Sequence, residues 1–147
     1  METIIATTGL ALMVGLSGIG SAIGLSMGGS SVLGMIKKKP EAFGNALVLS
    51  GLPATQGLYG FVAFILYSAD VKAGITMFHA AVVFGAGLAV GLVCFISAIQ
   101  QANVCSSGIQ AIGGGHDAFG KTMILAAFPE FYAILSLVAA ILMKGLL

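Results

Sequence analysis

Apolar residues run along this chain in long unbroken stretches rather than alternating with polar ones. Polar punctuation falls at Lys37-Lys38-Lys39-Pro40-Glu41, at Asp70-Val71-Lys72-Ala73-Gly74 and at Gly113-Gly114-Gly115-His116-Asp117. These breaks leave four apolar segments, at about 4–36, 43–69, 75–112 and 119–145. Each exceeds the roughly 20 residues that a helix needs to cross hydrocarbon. Only helices and closed barrels satisfy their own backbone hydrogen bonds there, and continuous apolarity without strict alternation selects helices. The pattern predicts an all-α membrane protein of four transmembrane helices.

The two halves repeat. At an offset of 76 residues, Val14-Gly15-Leu16 falls on Val90-Gly91-Leu92, and Ser21-Ala22-Ile23 on Ser97-Ala98-Ile99. In the same register Ser30-Ser31 meets Ser106-Ser107, Ala42-Phe43-Gly44 meets Ala118-Phe119-Gly120, Pro53 meets Pro129, and Ile65-Leu66 meets Ile141-Leu142. A register held through two segments and a loop implies a duplicated antiparallel helical hairpin, residues 1–73 and 74–147, the copies in parallel orientation. Lys37, Lys38 and Lys39 favour a cytoplasmic side for the loop at 37–41, and hence for that at 113–117, with both termini opposite.

Composition leaves no room for a soluble domain. Of 147 residues, 59% are hydrophobic and 7% charged, with a mean hydropathy of +1.10, against about 25% charged in soluble domains. A net charge of +1, with its six basic residues all lysine in loops or near helix ends, excludes a nucleic-acid surface. The start, Met1-Glu2-Thr3, lacks the positive charge of a signal peptide, and its apolar run continues to about Met35, so the first segment is expected to be a helix of the mature protein. Cys94 and Cys105 lie on one segment about 16 Å apart at helical rise; both are expected to be buried thiols. His79 and His116 are expected at the surface, and Asp70, Lys72, Asp117 and Lys121 at helix ends.

Small residues suggest how helices meet. Gly20, Gly24 and Gly28 recur every four residues in the first segment, and Gly87 and Gly91 lead to Ala98 and Ala102 in the third. Such stripes let backbones approach closely. Packing within one chain and packing between copies around a ring are both open, and the repeat favours the ring.

Glu130 demands an explanation. It stands about ten residues into the fourth segment among Phe128, Pro129 and Phe131, and a charged acid at that depth costs several kcal/mol, about 2.5–3.5 on insertion scales. At about 1.5 Å per residue, Glu130 lies about 15 Å below Gly120, Gln56 about 18 Å below Gly44, and Gln101 about 18 Å below Gly113. Three polar side chains from three helices thus share one level, extended by Thr55 and Tyr59. Amide oxygens, a hydroxyl, a main-chain carbonyl and one carboxylate are oxygen donors that suit a hard monovalent cation; the same groups also serve as glue between helices. Pro53 and Pro129 precede this level in their hairpins and free a helix carbonyl, so both helices are expected to bend there. At the repeat offset Glu130 falls on Ala54, which leaves one acid per chain.

Leu52-Pro53-Ala54-Thr55-Gln56-Gly57-Leu58-Tyr59-Gly60 and Pro129-Glu130-Phe131-Tyr132-Ala133-Ile134-Leu135 resemble the second- and fourth-helix motifs of the duplicated proteolipid (c/K type) of V-type and A-type rotary ATPases, and the likeness covers nearly the whole chain. The first motif is similar to that of sodium-translocating members. The resemblance implies a Na+ site of the Leu52 carbonyl, Thr55, Gln56, Gln101 and Glu130, with Tyr59 hydrogen-bonded to the glutamate; Gln101 is chosen over neighbouring Gln100 from the shared Ser97 to Gln110 stretch. It also implies a homo-oligomeric rotor ring in the lipid bilayer, with helices one and three inside and two and four facing lipid and stator. Each glutamate would load its ion at a stator membrane subunit bearing an arginine, and a central-stalk subunit would contact the cytoplasmic loops. ATP would bind elsewhere: the chain has no Gly-Lys-Ser or Gly-Lys-Thr phosphate loop and is expected to be a non-catalytic, ion-carrying subunit without an organic cofactor. Two alternatives stand beside sodium. The same ring carries H+ if burial raises the glutamate's proton affinity, and a structural or pore-forming four-helix bundle uses its polar residues only as glue.

Overall fold

The computed structural model describes residues 1–147. All regular structure is helical, and four spans are long and apolar enough to cross a membrane. The first is α1, Glu2–Ile36. The second is divided: a 3-10 turn at Pro40–Ala42 leads into α2, Phe43–Gly51, and the chain resumes as α3, Ala54–Ser68. The third and fourth are α4, Met77–Gly113, and α5, Phe119–Lys144. Thr76 caps α4 by accepting a hydrogen bond from the His79 amide, while Gly74 and Gly115 take the positive φ angles, 84° and 90°, that the tight connections require.

Both connections, 37–41 and 113–117, lie at one end, where Lys39, Glu41, His116 and Asp117 line a common cavity of about 340 Å³. At the opposite end Lys144 forms an ion pair with Asp70, its ammonium 5.6 Å from the centre of the Tyr67 ring. The Tyr67 hydroxyl donates to the Ala140 carbonyl. This fastening of α3 to α5 was not anticipated for Asp70, read as a helix-end anchor. His116 is exposed, but His79 is half-buried and tilted against Phe78. Cys94 and Cys105 are buried free thiols.

The expectation that the glycine stripe packs between copies is corrected. A methyl at Gly20 would lie 2.6 Å from the Phe95 Cα, one at Gly24 2.7 Å from the Pro53 Cβ, and one at Gly28 2.9 Å from the Ser50 Cα. Gly87 is closed by the Gly9 carbonyl and Gly91 by that of Leu12. The stripe lets α1 sit against α4 and the second span of its own chain, the driving force in lipid being close van der Waals contact. The glycines left open are others on α1: Gly15, Gly18, Gly29 and Gly34 have nothing within 4 Å.

Buried apolar residues form two clusters. One, toward the termini, includes Met13, Ala63, Tyr67, Val83, Val90 and Cys94. The other, toward the loops, includes Val32, Met35, Leu49, Cys105 and Ile109. The large exposed side chains, Phe61, Ile65, Leu125, Phe128 and Phe131 among them, form the apolar exterior that a spanning bundle presents to lipid.

Candidate ion site

The level between the two apolar clusters is polar. Gln56 of α3 and Gln101 of α4 are fully buried, each at 0% exposure, and a buried amide must find partners. Gln56 donates through Nε2 to the Gln101 Oε1 at 3.0 Å and to the Ser97 Oγ at 3.1 Å. Gln101 donates through its own Nε2 to the Glu130 carboxylate at 2.9 Å and to the Ala126 carbonyl at 3.0 Å. The Tyr59 hydroxyl donates to the other Glu130 oxygen at 2.8 Å. Both carboxylate oxygens therefore accept a hydrogen bond, one from each neighbouring span, and the half-buried acid of α5 is held between them.

Beside this chain three oxygens gather. The Thr55 hydroxyl lies 3.1 Å from the Leu52 carbonyl and 3.2 Å from the Gln56 Oε1. Every residue expected at the site, Leu52, Thr55, Gln56, Tyr59, Gln101 and Glu130, thus belongs to one neighbourhood. The one difference concerns orientation: Gln101 turns its NH2 group, not its oxygen, toward Glu130. Gln100 is exposed on the far flank of α4, lining a groove with Phe128, Pro129 and Tyr132. Glu130 is the site's single acid, and no cluster of three or more His, Cys, Asp or Glu side chains exists anywhere in the chain. Oxygen donors of these kinds suit a hard cation better than a transition metal.

The two prolines act differently, although a bend was expected at both. Around Pro53 the bonding tightens to Leu52 N–H on Leu49 O at 3.4 Å and Thr55 N–H on Leu52 O at 3.2 Å. The Ser21 hydroxyl enters from α1: it donates to the Pro53 carbonyl at 2.6 Å and accepts from the Gly57 amide at 2.8 Å. A side chain inserted in this way opens a helix ladder, and here it separates α2 from α3 and leaves the Leu52 carbonyl for Thr55. In the second hairpin the Ser97 hydroxyl likewise donates to the Pro129 carbonyl, at 2.8 Å, but accepts from Gln56 instead of a backbone amide. Helix α5 runs through Pro129 unbroken. Neither serine was singled out from sequence as part of the site. The signal was in the repeat, which aligns Ser21 with Ser97 and Pro53 with Pro129.

Comparison with known proteins follows the same repeat. The family of the ATP synthase C subunit matches twice, over residues 8–67 and 84–143, at the 76-residue offset of the internal duplication. The chain is 41% identical over 140 residues to the K subunit of an A-type ATP synthase from Methanocaldococcus jannaschii, covering 95% of this chain and 61% of that protein. It is 38% identical over 127 residues to the K subunit of a V-type sodium ATPase from Enterococcus hirae, covering 86% and 81%. Identity falls to 23% over 128 residues with the 16 kDa proteolipid of the V-type proton ATPase from Rattus norvegicus, covering 87% and 83%. With a double family match, four spans and one acid among amides, the chain belongs to the ATP synthase C subunit family, as a duplicated, multi-pass proteolipid of the V/A type.

Proposed function

We propose that this chain is the rotor-ring subunit that carries one Na+ through the bilayer on Glu130, coupling ion movement to ATP hydrolysis or synthesis performed by other subunits. The observation that carries the reading is the position of Glu130, a single acid at mid-membrane, flanked by Tyr59, Gln101 and the gathered oxygens of Leu52, Thr55 and Gln56. An ionised acid cannot face lipid, whereas one neutralised by a bound cation can, so occupancy gates travel past the lipid. The name of the enterococcal relative, a sodium ATPase subunit, supports the choice of ion. Gln101 would join the donor set by turning its amide over, which exchanges its nitrogen for its oxygen.

In the ring, α1 and α4 would line the inside, while α3 and α5 would face lipid and a stator subunit whose arginine releases the ion. The loops at 37–41 and 113–117 would face the cytoplasm and a central-stalk subunit, with the termini opposite. Each chain would contribute two units, residues 1–73 and 74–147, and a single acid.

One observation favours a second reading, the same ring carrying H+. With the Gln101 nitrogen and the Tyr59 hydroxyl both donating to Glu130, the carboxyl is already held by donors and requires no cation to be satisfied. The deciding experiment is the rate of carbodiimide modification of Glu130 in the purified membrane assembly, with and without sodium across a pH series. Protection by millimolar sodium and not by potassium supports the sodium site. Modification governed by pH alone makes this a proton ring, and no reaction at all returns the polar level to the role of structural glue.

A further inference from the structure

Two polar side chains near the level of Glu130, Gln100 and Tyr132, are left without a partner inside the chain. Gln100 is exposed on the side of α4 turned away from the first hairpin, in an apolar groove that it shares with Ile96, Phe128 and Tyr132. Tyr132, 68% exposed, is there too. An amide and a phenol at mid-membrane depth call for protein neighbours, since lipid tails offer no hydrogen bonds.

The duplication says which neighbour fits. Within the chain the first hairpin docks on the second through defined pairs: the Leu12 carbonyl over Gly91, Gly20 against Phe95, Gly24 against Ala98 and Ala102, Gln56 on Ser97. Moved forward by the 76-residue repeat, the docking residues of the first hairpin become Leu88, Ile96, Gln100 and Tyr132. Three of these four line the groove, and Leu88 is exposed. Moved back by the same step, the receiving residues become Gly15, Ile19, Ala22 with Ser26, and Ser21. Of these, Gly15 has nothing within 4 Å, and Ile19, Ala22 and Ser26 are exposed. Apart from Ser21, which is buried and bound to Pro53 and Gly57 of its own chain, the two faces left open are thus the counterparts of the two faces that meet inside the chain.

We infer that a second copy of this chain seats its first hairpin in the groove between α4 and α5, in the register of the internal joint, with the Gln100 amide facing the partner's Ser26 and Leu88 covering the partner's Gly15. The inference rests on the many-copy reading above and deepens it by fixing which residues meet. It also makes the two joints unequal. Where the internal joint has Gly24, the joint between copies has the much larger Gln100, so the second is wider and polar.

The test is pairwise disulfide formation in the full-length protein in its membrane. Oxidation of Gln100→Cys combined with Ser26→Cys should convert single chains into a ladder of multiples on a denaturing gel, and so should Leu88→Cys with Gly15→Cys. Each single variant and the parent chain, whose Cys94 and Cys105 are buried, should give no ladder. The two pairs report one register from different residues, so a pair lost to misassembly leaves the other to decide. A large native assembly that yields no ladder from either pair overturns the register and leaves the many-copy reading standing. A native mass of one chain overturns both.

Discussion

The two hairpins carry the same clasp and use it differently. In each, a serine of the first helix donates to the carbonyl of a proline in the second, Ser21 to Pro53 and Ser97 to Pro129. What differs is the group that donates to the serine. Ser21 takes a backbone amide, that of Gly57, out of its helix ladder; Ser97 takes the side-chain amide of Gln56. The first arrangement accompanies an interrupted helix and a Leu52 carbonyl turned toward Thr55; the second leaves α5 continuous and ties the clasp to the amide chain that ends on Glu130. Duplication has supplied two copies of one scaffold: the first has an opened backbone beside its serine, and the second, with Glu130 where the first has Ala54, has the acid.

The sharpest way to break this comparison is to move the acid. Glu130→Gln should reduce ion transport by the assembled complex to background, and adding Ala54→Glu at the matching position should not restore it, because Tyr59 and Gln101 are arranged around Glu130 alone; recovered transport would mean that the hairpins are interchangeable. Next in size is Tyr59→Phe. A hydrogen bond to a charged group contributes about 1.5–3 kcal/mol, roughly tenfold to a hundredfold in affinity, and sodium protection of Glu130 against carbodiimide should shift to that much higher concentration. An unchanged midpoint would remove Tyr59 from the site.

Ser21→Ala and Ser97→Ala sharpen the contrast directly. Each leaves buried polar groups unpaired at about 1–3 kcal/mol, so both should lower the thermal stability of the detergent-extracted protein. Only Ser21→Ala should alter amide hydrogen exchange at Gly57, and equal exchange in both variants would show the clasps to be equivalent. The smallest effect is expected from Asp70→Asn. Its pair with Lys144 is partly exposed, and such pairs contribute roughly 0–1 kcal/mol, so melting should fall slightly and the difference from the parent should shrink at high salt.

Much of this was legible in the sequence because hydrocarbon restricts what a chain can do. Apolar runs gave the four spans, polar punctuation gave both tight connections, and counting helical rise placed Gln56, Gln101 and Glu130 on one level, where they form a hydrogen-bonded chain. Two things were not legible. Both prolines receive a serine hydroxyl on their carbonyl, yet only Pro53 stands at an interrupted helix, and nothing in the composition around Pro53 or Pro129 says which serine reaches which carbonyl, or what donates to it. The glycine stripe was ambiguous for a related reason: Gly20 and Gly15 lie on different faces of α1, and the one closed by Phe95 is told from the one left open only by how far α1 is rotated against α4.

The interrupted second span has a mechanical consequence. Helix α5 is one continuous strut of 26 residues, whereas α2 and α3, of 9 and 15 residues, are two rods linked through Leu52-Pro53, with the Ser21 hydroxyl pinning the start of the second rod to α1. A load applied at the loop end passes straight through α5 but meets a compliant joint at Pro53. The two spans therefore differ in continuity, and the divided one carries Thr55, Gln56 and Tyr59, so a twist taken up at the break would reach the cage around the acid before the helix that bears the acid.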